Sequence, residues 1–289
     1  MAAASRPIDA RPAGSPGSSS GPDLFGPGLR VLQRHLWVYR RTWRGSIFSS
    51  FLNPVLFMIA MGFGVGSLIG SGGSSTGAAG AVIPAGLTYL AFIAPGLMAG
   101  GAMQTATFES SFPISARIMW RRNYEAMLAT PLRVWDVLLG EFGWIAFRLF
   151  TTATAFLIVM TIFGVPRGPS AILAVPAAML TGFAFSPLMI FIASRVTGDP
   201  AAVFSTIFRF VIMPLFLFSG TFFPIERLPE VLQVVAWATP LYNGVALTRA
   251  LILDMADPLV SLAHVGVLLI YAGVGLVLAR RGLHERLVK

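Results

Sequence analysis

Residues 45–69 read GSIFSSFLNPVLFMIAMGFGVGSLI, and residues 87–108 read LTYLAFIAPGLMAGGAMQTATF. Between Arg44 and Glu109 no residue carries a charge. Water-soluble domains cover themselves with charged and polar side chains. A chain of 289 residues could not hide so long an uncharged run. About 20 predominantly apolar residues make a helix that crosses a bilayer, and both quoted stretches reach that length. The Gly/Ser/Ala stretch 70–86 between them reads as a flexible connector.

Outward from this pair, four further segments have spanning length, giving six in all: residues 46–69, 87–112, 137–163, 170–194, 201–219 and 259–279. Glu141 and Arg148 lie inside the third and Arg209 inside the fifth. The apolar stretch 220–241 is cut by Pro224, Pro229 and Pro240 and carries Glu226, Arg227 and Glu230. Broken helices at membrane depth need shelter from protein or a water-filled cavity, so this stretch reads as a pair of short re-entrant or interfacial helices. The expected fold is all-α: a polytopic membrane protein with six transmembrane helices, an N-terminal interfacial helix and re-entrant helices between spans 5 and 6.

Composition agrees, with 55% hydrophobic and 11% charged residues, against about 25% charged in soluble domains. The net charge of +9 is carried almost wholly by arginine, the single lysine being Lys289. These arginines gather at the ends of apolar runs, which is the pattern of membrane topology rather than of nucleic-acid binding. With the N-terminus inside, sixteen of the 21 basic residues fall on the inner side and three, Arg167, Arg227 and Arg249, on the outer side. That bias predicts a multi-pass protein of the plasma (inner) membrane with both termini cytoplasmic. Residues 1–28 are rich in Pro, Gly, Ala and Ser and read as a disordered cytoplasmic tail. In the segment that follows, Leu29, Leu32, Leu36 and Tyr39 recur at helical spacing among arginines and two tryptophans, the pattern of an amphipathic helix at the membrane surface.

Several chemistries find no residues here. With one lysine at the chain end, no G-x-x-x-x-G-K-[ST] phosphate loop exists. There is no Cys, and His35, His264 and His284 lack partners at metal-ligand spacing, so neither a catalytic nor a metal site is expected. The expected activity is moving or holding something rather than making bonds.

The loop between spans 2 and 3 is the most informative stretch. It holds EAMLATPL at 125–132 and runs into DVLLGE at 136–141. Tyr124, Met127 and Leu128 fall on one face of a short helix that Thr130 and Pro131 stop. Such a face either docks into a partner's groove or folds back on its own bundle. Together with FSGTFFPIERLP at 218–229 and TPLYNGVALTR at 239–249, these motifs resemble ABC-2 type transport permeases. Within that family the likeness is greatest to lipo-oligosaccharide (nodulation-factor) exporter permeases and daunorubicin-type drug exporter permeases.

The resemblance implies a transmembrane domain over residues 29–289 that works with a second copy of itself or a homologous permease and with separate ABC ATPase subunits. ATP and Mg would be bound by that partner and no cofactor by this chain. The loop would dock on the ATPase through Tyr124, Glu125, Met127, Leu128, Thr130 and Pro131, helped by Arg34, Arg40 and Arg41. Phe222, Phe223, Pro224 and Glu226 would belong to the outer gate. The cargo implied is amphipathic: a glycolipid, a lipo-oligosaccharide or a hydrophobic drug.

Ionisable groups within spans usually pair or face a cavity. Glu141 and Arg148 lie two turns apart on one helix face, and Glu109 ends span 2 nearby, so Glu109–Arg148 and Glu141–Arg148 are both open pairings. Arg209 has no partner in its own helix. These arginines either glue helices together or meet an anionic group of the cargo along its path. Two other classes compete with the exporter. A secondary transporter driven by an ion gradient usually shows internal repeats and midplane acids, and neither is evident here. A non-transporting membrane scaffold would show no coupled ATPase.

Overall fold

The computed structural model describes residues 27–65, 87–120, 132–227 and 229–287, together with Tyr124, Met127 and Ala129. Every regular element among these residues is helical. Helix α1 (Pro27–Ile59) continues into a π-helical turn, Ala60–Val65. Then come α2 (Tyr89–Ser110), α3 (Phe112–Met119), α4 (Val134–Ile162) and α5 (Ala174–Arg195), the last preceded by a 3-10 turn, Pro169–Leu173. Helix α6 occupies Pro200–Phe218, and α7 (Glu230–Ala238), α8 (Pro240–Ile252) and α9 (Pro258–Leu287) complete the chain.

The helix starts are written locally. Asp199, Thr239 and Asp257 each precede a proline that takes the first helical position, where a missing N–H costs nothing. Each of the three side chains then accepts a backbone N–H of the first turn: Asp199 from Ala201 at 3.0 Å, Thr239 from Tyr242 at 3.4 Å, Asp257 from Leu259 at 2.8 Å. Asp136 reaches back to the Arg133 N–H at 2.8 Å and closes the start of α4.

Among the described residues, four helical stretches are long and apolar enough to cross a membrane: Val134–Ile162, Pro169–Arg195, Pro200–Phe218 and Pro258–Leu287. They correspond to expected spans 3 to 6. The expected second span is α2, 22 residues long, whose apolar character is diluted by Pro95, three glycines and Gln104. The expected first span begins within α1 and its final residues, 66–69, lie outside the described part.

Helix α2 sits at the centre. Residues Ala91 to Gly100 are all buried, and α2 packs against α4, α5 and α8. Helix α9 lies along α5, and α1 along α4. In contrast, α6 touches the bundle through Phe204, Ile212 and Phe216 and leaves Phe210, Val211, Met213, Leu217 and Phe218 exposed. An apolar helix exposed on most of its circumference suits hydrocarbon or a second subunit. Its middle, Phe208–Ile212, is π-helical just before Pro214, which has no N–H to continue the α-helical ladder.

Two expectations change. Residues 27–44 do not form a separate surface helix. Pro27–Ile59 is one continuous helix, and residues 28–39 run alongside residues 136–147 of α4 in the same direction. Toward α4 the helix presents a face other than the leucine stripe. Val31 and His35 are buried, while Leu29 and Leu36 are 46% and 38% exposed. The reason is a close approach: a Cβ at Gly140 would lie 2.4 Å from Val31 Cβ, so the small residue admits Val31 and sets the rotation.

The second change concerns residues 242–252, expected on the outer side with no helix assigned to them. With Pro240 and Leu241 they form α8, buried between α2, α5 and α9. At 13 residues it is about 20 Å long, too short to span. Its polar groups are satisfied from neighbouring elements, as where His264 Nδ1 of α9 lies 2.8 Å from Asn243 Oδ1.

Candidate functional site

One end of the bundle collects the start of α1, the start of α4, α3, and the ends of α5 and α9. Ser115 of α3 donates to the Ala193 carbonyl at 3.4 Å, and Arg195 pairs with Glu285 at 2.6 Å. The Arg280 guanidinium stands 5.8 Å from the ring centre of Trp135. At the opposite end, Ser170 donates to Asp254 at 2.6 Å and the Arg167 N–H to the Ile252 carbonyl at 3.0 Å.

At the first end a single carboxylate gathers four elements. Glu141 of α4 is 2% exposed. Its Oε1 accepts the Tyr124 hydroxyl at 2.9 Å and lies 3.2 Å from His35 Nε2 of α1. Its Oε2 pairs with Arg117 of α3. Tyr124, the loop residue, is fully buried. Burial, and then the charge of Glu141, raise the Tyr124 phenol well above its usual pKa, so it stays a neutral donor. Removing one member of such a knot leaves a buried polar or charged group without a partner.

Two turns along α4 a second pair forms. Arg148 Nε donates to Glu109 Oε1 at 2.9 Å, and Trp144 Nε1 donates to Glu109 Oε2 at 3.0 Å. Of the two open pairings, the structure forms Glu109–Arg148, and Glu141 turns instead to Arg117. The two clusters are stapled by rings: His35 stacks on Trp144 with centroids 5.4 Å apart, and Tyr39 meets the edges of Trp144 and Phe147.

The expected loop residues divide. Glu125, Leu128, Thr130 and Pro131 lie outside the described residues. Met127 is half-buried and packs on the core. Tyr124 is a correction, because its ring and hydroxyl point into the bundle and it presents no face to a partner. A tyrosine with a buried carboxylate in reach is held by that bond, and sequence spacing does not reveal the carboxylate. Arg34, Arg40 and Arg41 of α1 lie toward one side of the helix: Arg34 and Arg41 line an open groove with Arg30, Gln33, Trp37 and Val38, and Arg40 is exposed one turn beyond Trp37.

Arg209 is exposed on α6, within its π-helical turn, and forms no ion pair among the described residues. At the far end, Phe222, Phe223 and Pro224 are half-buried and Glu226 is exposed. Phe222 packs edge-on to Phe216 at 5.2 Å. This segment is seated on the glycine face of α2. A Cβ at Gly96 would lie 3.0 Å from Thr221 and one at Gly100 2.2 Å from the Phe216 ring. Sequence reasoning singled out neither His35 nor Arg117 as a partner of Glu141, and it left Arg249 in a loop. The signal available for Glu141 was a carboxylate within an apolar span, which must find a partner.

The profile of the ABC-2 type transporter family matches residues 29–253. Nodulation protein J of Sinorhizobium fredii is 31% identical over 261 residues, which cover 90% of this chain and 94% of the relative. Nodulation protein J of Rhizobium leguminosarum bv. trifolii is 31% identical over 263 residues, with 90% and 94% covered. That of Neorhizobium galegae is 31% identical over 243 residues, with 84% and 87% covered. A match over most of the chain, with all-helical architecture and helices long enough to cross a bilayer, leads to one conclusion: this membrane protein belongs to the ABC-2 type transporter family.

Proposed function

We propose that the chain is the membrane-spanning permease subunit of an ATP-driven ABC exporter, paired with a second permease and driven by a separate ABC ATPase that holds ATP and Mg. The observation that carries this reading is the Glu141 knot. It ties the loop residue Tyr124 to α1, α3 and α4 through one buried carboxylate. A push on the loop is thereby shared among the helices that meet at that end, and packed elements of this kind switch between discrete arrangements rather than stretch. The loop residues Glu125, Leu128, Thr130 and Pro131 make the ATPase contact, and Tyr124 is the inner end of the lever. Exposed Arg40 adds charge to the same surface.

The distribution of arginines supports six spans, both termini in the cytoplasm and an inner-membrane location. Helices α7 and α8 then enter from the outer face and return, and Phe222, Phe223, Pro224 and Glu226 form the outer closure. Arg148 and Arg209 face the path, Arg209 from an α6 that the rest of the chain barely covers. The cargo is amphipathic. Relatives named for nodulation stand beside the motif resemblance to nodulation-factor exporter permeases, so a lipo-oligosaccharide is the cargo to test first, before other glycolipids and hydrophobic drugs.

The test is paired substitution in the loop. Glu125→Arg with Leu128→Asp should release the co-expressed ABC ATPase from the detergent-solubilised complex while the permease remains inserted and elutes normally. Retention of the ATPase with undiminished coupling would remove the basis for this reading.

A further inference from the structure

Arg249 is a cation set among packed helices. Its Nε donates to the Phe92 carbonyl of α2 at 3.0 Å, and its Nη2 donates to the Gly220 carbonyl at 2.7 Å. The guanidinium also lies over the Phe92 ring, 3.9 Å from its centroid. The neighbouring Thr248 hydroxyl lies 3.1 Å from the Pro95 carbonyl and 2.8 Å from the Gly244 carbonyl of its own helix, so α8 meets α2 at two successive residues. Among the described residues Arg249 forms no ion pair with a carboxylate. A planar guanidinium is suited to this arrangement, since it can stack on a ring and donate along two directions at once.

One of its two carbonyls belongs to a fixed helix and the other to a turn. Gly220 adopts φ +76°, a left-handed conformation open to glycine, and this aims its carbonyl at Arg249. The side-chain hydrogen bonds of Ser219 and Thr221 stay within the segment: Ser219 donates to the Phe216 carbonyl at 3.0 Å and lies 2.9 Å from Thr221 Oγ1. Otherwise Thr221 of the turn rests on Gly96, and Phe216 just before it rests on Gly100, by van der Waals contact. Among the described residues Arg249 is therefore the polar tie that reaches the turn from the packed helices.

We propose that Arg249 is the positioning residue of the outer closure, a latch that holds the turn at residues 219–222 down on α2 and releases the Gly220 carbonyl when the closure opens. This rests on the exporter reading for what the closure is for. The latch itself is a property of this chain alone and is testable without an ATPase.

The chain has no cysteine, and Thr221 is fully buried, so Thr221→Cys places a reporter beneath the latch. In right-side-out vesicles, a membrane-impermeant maleimide should label Cys-substituted position 221 slowly when Arg249 is intact. Arg249→Met should raise the labelling rate about tenfold or more, the effect of losing a hydrogen bond from a charged donor. Arg249→Lys should also raise it, because a point charge does not reproduce the stacked fork. Arg195→Met, at the opposite end, should leave it unchanged. Rates for both Arg249 variants within twofold of the rate measured with Arg249 intact would overturn the proposal. In the unsubstituted chain, hydrogen exchange over residues 219–225 should be as slow as over α8, and fast exchange there would overturn it even if Arg249→Met fails to fold. Labelling restricted to inside-out vesicles would leave the latch standing and refute the orientation assigned above.

Discussion

Replacing Glu141 by Leu removes the acceptor on which His35, Tyr124 and Arg117 converge. The side chains of Glu141 and Arg117 are 3% and 15% exposed, so water cannot take over the lost role without opening the bundle. Breaking a buried charge pair by deleting one partner costs about 3–5 kcal/mol. At about 2–4 °C per kcal/mol for a domain of this size, the melting temperature should fall by roughly 6–20 °C. Arg117→Met should sit near the lower end of that range, since Arg117 has a little more access to solvent. The double variant Arg117→Met, Glu141→Leu leaves no orphaned charge. It should be more stable than the sum of the single effects by about 2–3 kcal/mol, within the range of couplings measured between contacting residues. The assay is thermal unfolding in detergent followed by size-exclusion chromatography, read as a double-mutant cycle. A coupling below about 0.5 kcal/mol would refute the knot, because residues that share no partner simply add.

Three further outcomes follow from the same geometry. Tyr124→Phe removes one bond to the carboxylate and should cost about 1.5–3 kcal/mol; because burial holds the phenol above its usual pKa, the loss should be constant from neutral to mildly alkaline pH, as thermal unfolding across that range would show. Gly140→Val should push α1 off α4, since a Cβ there meets Val31 at 2.4 Å; proteolysis within α1 should accelerate at least severalfold, whereas Gly266→Ala, with nothing within 4 Å of its Cβ, should be neutral. A cysteine at exposed Met255 should be labelled by an impermeant reagent from outside intact cells and one at exposed Glu285 only after permeabilisation, and the reverse pattern would invert the assigned orientation.

Much of the architecture is readable in the chain because lipid imposes few solutions. Predominantly apolar runs of spanning length mark α4, α5, α6 and α9, and Asp-Pro or Thr-Pro pairs mark where helices begin. The Glu109–Arg148 pair was among the readable options, since both residues sit near one end of neighbouring spans. The Glu141 knot was not. Its partners His35 and Tyr124 are separated from it by 106 and 17 positions, and neither helical spacing nor composition encodes a contact made only after packing. The same holds for α8, whose Asn243, Thr248 and Arg249 suggest a wet loop until α2, the 219–222 turn and His264 supply their partners. Gly96 and Gly100, four residues apart, leave room for a close approach on α2, but their spacing does not name the occupant, which is a turn and a phenylalanine rather than another long helix. The leucine stripe of α1 is legible in sequence, but the face turned to α4 is not, because the hollow at Gly140 selects Val31 and His35.

The most direct measurement of the central claim is uptake of a fluorescent lipo-oligosaccharide by proteoliposomes that contain the chain in inside-out orientation together with its ABC ATPase. The account predicts uptake that requires ATP hydrolysis and disappears with Glu125→Arg plus Leu128→Asp, although both proteins remain present. Uptake driven by an ion gradient without ATP, or undiminished when the loop is altered, would contradict it.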